Sequence, residues 1–202
     1  LAAGSKPFML PLPGMDLKGV LSSDELFKLE EMPESLVIIG GGVISVEFAT
    51  AFSALGCKVT ILEAMPRLVP NMDKEISQSL KMLLKKRGID VHTSAGVQSV
   101  EERDGAYVCK YTEKEKECEA SAQYVLCAVG RIPNTEGLFA EDAVPEMERG
   151  RIVVDEHFKT SIPEVYAIGD LIKGMQLAHT ASAQGVVVIE YLNGKDPSID
   201  LS

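Results

Sequence analysis

The chain has 202 residues, 46% of them hydrophobic, and a formal net charge of −10. That length holds one large domain, or one domain with substantial flanks, around a sizeable core. The acidic balance argues against a nucleic acid or an anionic membrane as partner, since both demand a basic face.

Residues 1–21 are rich in Gly and Pro, with LPLPG at 10–14, and read as a surface crossover leaving a strand at 1–3. A short helix follows over DELFKLEEM, with Ser23 as its expected N-cap, Asp24 and Glu25 in its first turn, and Pro33 closing it. Residues 36–39 are continuously apolar and rich in β-branched side chains, as in a strand covered on both faces of a parallel sheet. Gly40, Gly41 and Gly42 end that strand. Gly40 and Gly42 fill the first two places of G-x-G-x-x-G, one permitting a tight turn and the other letting a pyrophosphate approach the backbone. A helix over 43–55 begins there, and its free N–H groups suit phosphate. Ser45 stands at the third glycine place, where a slightly larger residue is expected to loosen the packing of helix on strand at most. Residues 58–62 make a second strand, and Glu63 at its end lies 23 positions after Gly40. A carboxylate there accepts hydrogen bonds from the hydroxyls of an adenosine ribose and repels a 2′-phosphate, which predicts NAD over NADP.

Asp73 opens an amphipathic helix with Ile76, Leu80, Leu83 and Leu84 on its apolar stripe. Lys85, Lys86 and Arg87 sit in its last turn, where cations complement the dipole. A third strand at 89–92 completes β-α-β-α-β. Strand-like runs then alternate with the turn signal at 103–105, and EKEKE at 113–117 reads as a solvated hairpin edge. Residues 124–129 are apolar again and should rejoin the parallel sheet, with Gly130 at its carboxyl edge, where open α/β sheets bind ligands. Further strands are expected at 152–154 and 165–168, then Gly169-Asp170 and a helix over 177–192 with many small residues. Asp170 either caps the next helix or touches a ligand.

Cys57, Cys109, Cys118 and Cys127 form no C-x-x-C pair and no metal-ligand grouping, and with only His92, His157 and His179 in the chain no zinc site is expected. No apolar stretch reaches transmembrane length and no signal peptide is visible. The first residue is Leu rather than Met, as in a piece of a longer protein, so a missing targeting signal carries no information; a cytoplasmic location is expected.

Six motifs occur in one order: AAGS at 2–5, GGGVISVE at 40–47, ILE at 61–63, VGRIPN at 129–134, TSIPEVYAIGD at 160–170 and QLAHTASAQG at 176–185. Together they resemble the pyridine nucleotide-disulfide oxidoreductase family of flavoenzymes, and within it the branch that oxidises dihydrolipoamide. The resemblance spans nearly the whole chain, with Ala3 where the family usually has Thr. It implies an α/β fold in which a Rossmann-like NAD-binding domain, a central parallel sheet with a β-meander, is inserted in part of a second, FAD-binding-type α/β domain. The expected boundaries are a flavin-domain remnant at 1–30, the NAD-binding domain at 31–131 and a second flavin-domain segment at 132–202.

By the same resemblance, Gly40, Gly41, Gly42, Val43, Ile44, Ser45, Val46 and Glu47 would hold the pyrophosphate and nicotinamide end of NAD, and Glu63 the adenosine ribose. Val97 and Gly130 would border its adenine and nicotinamide ends. Gly4 and Ser5 would lie near the phosphates or ribityl chain of FAD, Asp170 would hold a ribityl hydroxyl, and Gln176, Leu177, Ala178 and His179 would flank the flavin ring. No catalytic residue is expected in this segment. In the whole enzyme, a homodimer by resemblance, electrons would pass from a dithiol such as dihydrolipoamide through a disulfide to FAD and then as hydride to NAD. The alternatives are another member, such as an NADH oxidase or a mercuric reductase, or a binding module inactive on its own. Apolar surface around the last helix is expected to favour self-association.

Overall fold

The structure, a computed structural model, describes residues 1–199. Strand β1 (Ser5–Pro7) leaves one compact unit, formed by Leu1–Lys6 and the chain from Arg131 onward, and enters a second, Pro7–Gly130.

The second unit is built on five parallel strands. At one edge is β2 (Val20–Ser22), which runs into the short helix α1 (Ser23–Leu26). In the centre β3 (Ser35–Ile39) is flanked on one side by β4 (Lys58–Glu63) and then β5 (Asp90–Thr93). An antiparallel meander of β6 (Ala95–Arg103), β7 (Ala106–Glu113) and β8 (Lys116–Ala122) follows. The chain then returns as β9 (Tyr124–Cys127), which inserts between β2 and β3.

Alternation along these strands sends side chains to two separate cores. Leu36, Ile38, Ile61 and Leu126 pack under Ala49 of α2 (Val43–Ala54) and Leu84 of α3 (Lys74–Lys86). Val37, Ile39, Leu62, Val125 and Cys127 face the other way, against Val100, Cys109 and Tyr111 of the meander. Covering on both faces is why the central strands run apolar without interruption through residues 36–39 and 125–127.

The two compact units part at Lys6/Pro7 and at Gly130/Arg131. Residues from Met9 to Leu17 pack into the core beneath the meander, and β2 pairs with β9, so the crossover belongs to the parallel-sheet unit. The N-cap of α1 is Ser22 rather than Ser23. Ser22 accepts from the Glu25 N–H at 3.3 Å while the Glu25 carboxylate accepts from the Ser22 N–H at 2.8 Å, a reciprocal box that Ser23 cannot make with the residue three places on, Leu26.

In the first unit, β1 pairs with β10 (Arg131–Pro133), and β11 (Met147–Glu148) pairs antiparallel with β12 (Arg151–Ile152). Its small core holds Ile152, Ala167, Leu171 and Ile172, and α4 (Ala178–Leu192) closes the described part. The strand expected at 1–3 is a single backbone rail, in which the Leu1 ammonium donates to the Tyr166 carbonyl and the Leu1 carbonyl accepts from Ile168 at 3.0 Å. The strand expected at 165–168 is reduced to one bridge, Lys159 to Tyr166.

Two expected outcomes test this fold. Gly14 has φ +82, and a Cβ there would lie 1.8 Å from the Val100 carbonyl oxygen, whereas Gly96 has open space around it. Urea unfolding should show Gly14→Ala destabilised by about 2–4 kcal/mol, from overpacking and left-handed strain together, with Gly96→Ala within about 1 kcal/mol of wild type. Equal midpoints for the two variants would contradict this packing. His92 lies between Glu113 (2.8 Å) and Asp90 (3.0 Å), with the Tyr111 ring 5.5 Å away. Burial opposes its charged form, but the two carboxylates outweigh burial and raise its pKa. A raised folded-state pKa gives stability that is full below the unfolded value and is lost as pH rises through the folded one. The stability advantage of wild type over His92→Gln should therefore be larger at about pH 5.5 than at about pH 8.5. A difference independent of pH would exclude the ion pairs as its source.

Candidate functional site

The carboxyl ends of β3, β4 and β9 lie side by side. Gly40 N–H donates to the Leu62 carbonyl at 2.8 Å, and Ala128 N–H to the Ile39 carbonyl at 2.9 Å. From β3 the chain proceeds to β4 on one side, while β9 occupies the other, so the strand order reverses about β3. A crevice at such a reversal is where open parallel sheets take ligands.

The glycine turn sits at that crevice. Gly40 has φ +106, and a Cβ there would lie 2.6 Å from the Ala128 carbonyl oxygen. At Gly41 a Cβ would lie 2.7 Å from Leu68 and 2.8 Å from the Glu63 carboxylate. A Cβ at Gly42 would meet nothing within 4 Å. Two of the glycines thus serve the close approach of neighbouring chain, and the third leaves its surroundings open. Gly42 is also the N-cap of α2, and no side chain caps that end. Its N–H groups carry the partial positive charge of a helix start.

Glu63 is only 7% exposed. One of its oxygens accepts from the Gly41 N–H and the other from the Met65 N–H at 2.5 Å, while the Gly41 carbonyl accepts from Val69 at 2.8 Å. The acid is therefore turned toward the glycine turn by backbone donors, and each carboxylate oxygen retains a lone pair.

Along α2, Val43 and Glu47 are exposed, Ile44 and Val46 are half-buried against the core, and Ser45 is fully buried. Rather than leaving a looser contact, the Ser45 hydroxyl donates to the Ala128 carbonyl at 3.2 Å. Val97 is half-buried on β6 at a bulge between Val97 and Ser99, and the Ser94 N–H meets the Met65 carbonyl at 2.9 Å, which ties the start of β6 to the exit of β4. Gly130 is exposed just past β9.

In the other unit, residues far apart in sequence meet at Ser5. Its hydroxyl donates to Asp170 at 2.5 Å and accepts from Arg131 Nε at 2.8 Å, and Arg131 Nη2 also donates to the Ser5 carbonyl at 2.8 Å. The Gly4 carbonyl accepts from the Asn134 N–H at 2.9 Å. Next to Asp170, the Gly169 N–H donates to the buried Gln184 side chain at 2.7 Å. Gln176, Leu177, Ala178 and His179 are exposed at the start of α4, with Leu177 as its N-cap. Further along, Val186, Ile189 and Leu192 are exposed as well. Arg131 and Gln184 are not singled out by sequence reasoning. The signal for each is its place inside a motif, Arg131 in VGRIPN at 129–134 and Gln184 in QLAHTASAQG at 176–185.

Among the described residues no helix is long and apolar enough to cross a membrane, and no cluster of His, Cys, Asp and Glu could hold a metal. The four cysteines are free. Burial pushes the Cys57 thiol up to about 11 and the Cys109 thiol up to about 12, and raises Cys127 against opposing backbone hydrogen bonds. Since the thiolate is the reactive form, Ellman's reagent should modify the half-buried Cys118 first in the native chain and reach all four only after unfolding. Rapid native modification of Cys109 would contradict the packing.

The profile of the pyridine nucleotide-disulphide oxidoreductases matches residues 1–185. Two dihydrolipoyl dehydrogenases of Bacillus subtilis are 38% identical over 200 residues and 41% identical over 199, and one from Geobacillus stearothermophilus is 39% identical over 201. Each alignment covers 98–99% of this chain but only 42–43% of the relative, so the chain spans less than half the length of these proteins. Among solved structures, the HOCl-induced flavoprotein disulfide reductase RclA from Escherichia coli superposes with a TM-score of 0.88 at 30% identity, covering 96% of this chain and 44% of that one. LpdA from Mycobacterium tuberculosis gives 0.87 at 28% identity, covering 99% and 43%. With the family profile matched over most of its length, on a parallel sheet whose glycine turn faces a buried acid, this chain belongs to the pyridine nucleotide-disulphide oxidoreductase family.

Proposed function

We propose that this chain is the NAD(H)-binding portion, with flanking flavin-domain segments, of a dihydrolipoyl dehydrogenase. The observation that carries the reading is Glu63, buried at the end of β4 and held by the amides of Gly41 and Met65 beside a helix start left open at Gly42. A fixed carboxylate accepts from the two hydroxyls of an adenosine ribose and repels a phosphate in the same place, which favours NAD over NADP.

On this reading the open backbone at Gly42 and the start of α2, at Val43, Ile44 and Val46, receive the pyrophosphate, while the fully buried Ser45 is out of its reach. Gly40 and Gly41 shape the turn beneath it, Val97 borders the adenine end and Gly130 the nicotinamide end. Glu47, exposed on the second turn of α2, is a polar ligand for the carboxamide. In the other unit Gly4, Ser5, Asp170 and the segment from Gln176 to His179 border the flavin, with Ser5 and Asp170 offering a hydrogen-bonded pair for a hydroxylated chain. NAD and FAD, when bound, supply the two atoms between which a hydride passes, and the chain's own contribution is to position and to exclude water rather than to move protons. Its buried thiols take no part in dithiol exchange. Alone, the chain acts as a binding module. The likeness to RclA, a disulfide reductase at 30% identity, favours a second reading in which the same dinucleotide portion serves a different final electron partner.

Titration with NADH and NADPH, followed by ligand fluorescence, tests the reading. Saturable NADH binding should exceed NADPH binding, and Glu63→Ala should abolish that preference. Gly42→Ala places a methyl group in open space, so its unfolding midpoint should stay within about 1 kcal/mol of wild type while NADH affinity falls by about tenfold or more. The chain mixed with dihydrolipoamide and NAD⁺ should produce no NADH. Preference for NADPH, or NADH affinity indifferent to both substitutions, would overturn the assignment.

A further inference from the structure

The motif has glycine in its third place, and this chain has Ser45 there, fully buried, with its hydroxyl on the Ala128 carbonyl at 3.2 Å. Being buried, Ser45 cannot touch a ligand itself. What it touches is the exit of β9. The ladder between β3 and β9 ends at the pair Ile39 and Cys127. Beyond it, the position of the Ala128 backbone against the glycine turn is set by its N–H on Ile39, by the absence of a Cβ at Gly40, and by the Ser45 hydroxyl.

The two sides of the crevice differ in what they can hold. Glu63 fixes one half of a dinucleotide on the β4 side of β3. A molecule laid from there across Gly40–Gly42 must place its other half on the opposite side of β3, over the exit of β9. Val129 and Gly130 are exposed there. The Ser45 bond therefore acts on the nicotinamide half and not on the adenosine half.

We propose that Ser45 is a positioning residue for the nicotinamide half of the dinucleotide, working through the Ala128 carbonyl to hold the β9 exit against the glycine turn. The inference rests on the NAD-binding reading above and adds to it which half of the ligand this residue governs.

Isothermal titration of the chain with NADH and with ADP, which lacks the nicotinamide riboside, tests it. Ser45→Ala should weaken NADH binding by about three- to tenfold, the range spanned by one neutral hydrogen bond, and leave ADP binding within about twofold of wild type. Ser45→Gly, which restores the residue of the motif without the hydroxyl, should give the same split and serves if the alanine variant does not fold. A merely structural role would lower both affinities together. Equal losses for NADH and ADP, or no loss for NADH, overturn the inference while leaving the NAD-binding reading intact. A wild-type chain that binds ADP and not NADH overturns both.

Discussion

One amide and one carboxylate hold the crevice in shape. The Gly41 N–H is buried at the end of β3 and finds its partner in Glu63 at the end of β4, while the Gly41 carbonyl takes the Val69 N–H from the loop beyond. A buried backbone group left unpaired costs about 1–3 kcal/mol, so turn, acid and loop are held as one unit. The fit is too close for any side chain at position 41, and Leu68 fills the space that one would take. The same clasp holds Val69 at φ +39, a left-handed conformation that a β-branched residue avoids. Strain of that kind persists where the surroundings over-determine the backbone, and here two hydrogen bonds and a buried leucine do so.

The parallel sheet gives this clasp its stiffness. Helices cover one face and the antiparallel meander the other, so no strand of the sheet can shift without opening a core on both sides. The other unit is built the opposite way. Its core is small, and polar contacts between distant segments do more of the joining: Ser5 to Asp170 and Arg131, and Gly169 to Gln184.

Much of the parallel-sheet unit is legible in the sequence because each part has its own local signal. Leu36 to Ile39 is apolar without interruption, the triple glycine stops it, Asp73 and the last-turn cations bracket α3, and the turn at Asp104 sets the meander. β2 is not legible: three residues following Gly19 are too short a run to show a period, and they become a strand only because β9 offers a free edge. The boundary at Lys6/Pro7 is hidden for a related reason, since the proline-rich segment reads as a surface loop and is in fact anchored by Met9, Leu10, Leu12 and Met15 in the core beneath the meander. Of the candidate site, the glycines and Glu63 follow from spacing. The partners of Ser45, Arg131 and Gln184 do not: Ser45 and Gln184 bond to a backbone carbonyl and a backbone amide, where the partner's identity is immaterial, and Arg131 reaches Ser5 from 126 positions away.

The entry and exit of the parallel-sheet unit adjoin each other. Phe8 N–H donates to the Gly130 carbonyl at 3.0 Å, and on the other side of the paired strands β1 and β10, Asn134 N–H donates to the Gly4 carbonyl at 2.9 Å. To the host unit, everything from Pro7 to Gly130 occupies the position of a hairpin loop. Loop-closure entropy grows only logarithmically with length, and a loop that folds on itself with its ends already together adds almost nothing to that cost. Such a junction is a socket. A folded insert of another size could replace this one, provided that its two ends emerged one strand spacing apart, and the host's hydrogen bonds at Ser5, Arg131 and Asn134 would be undisturbed.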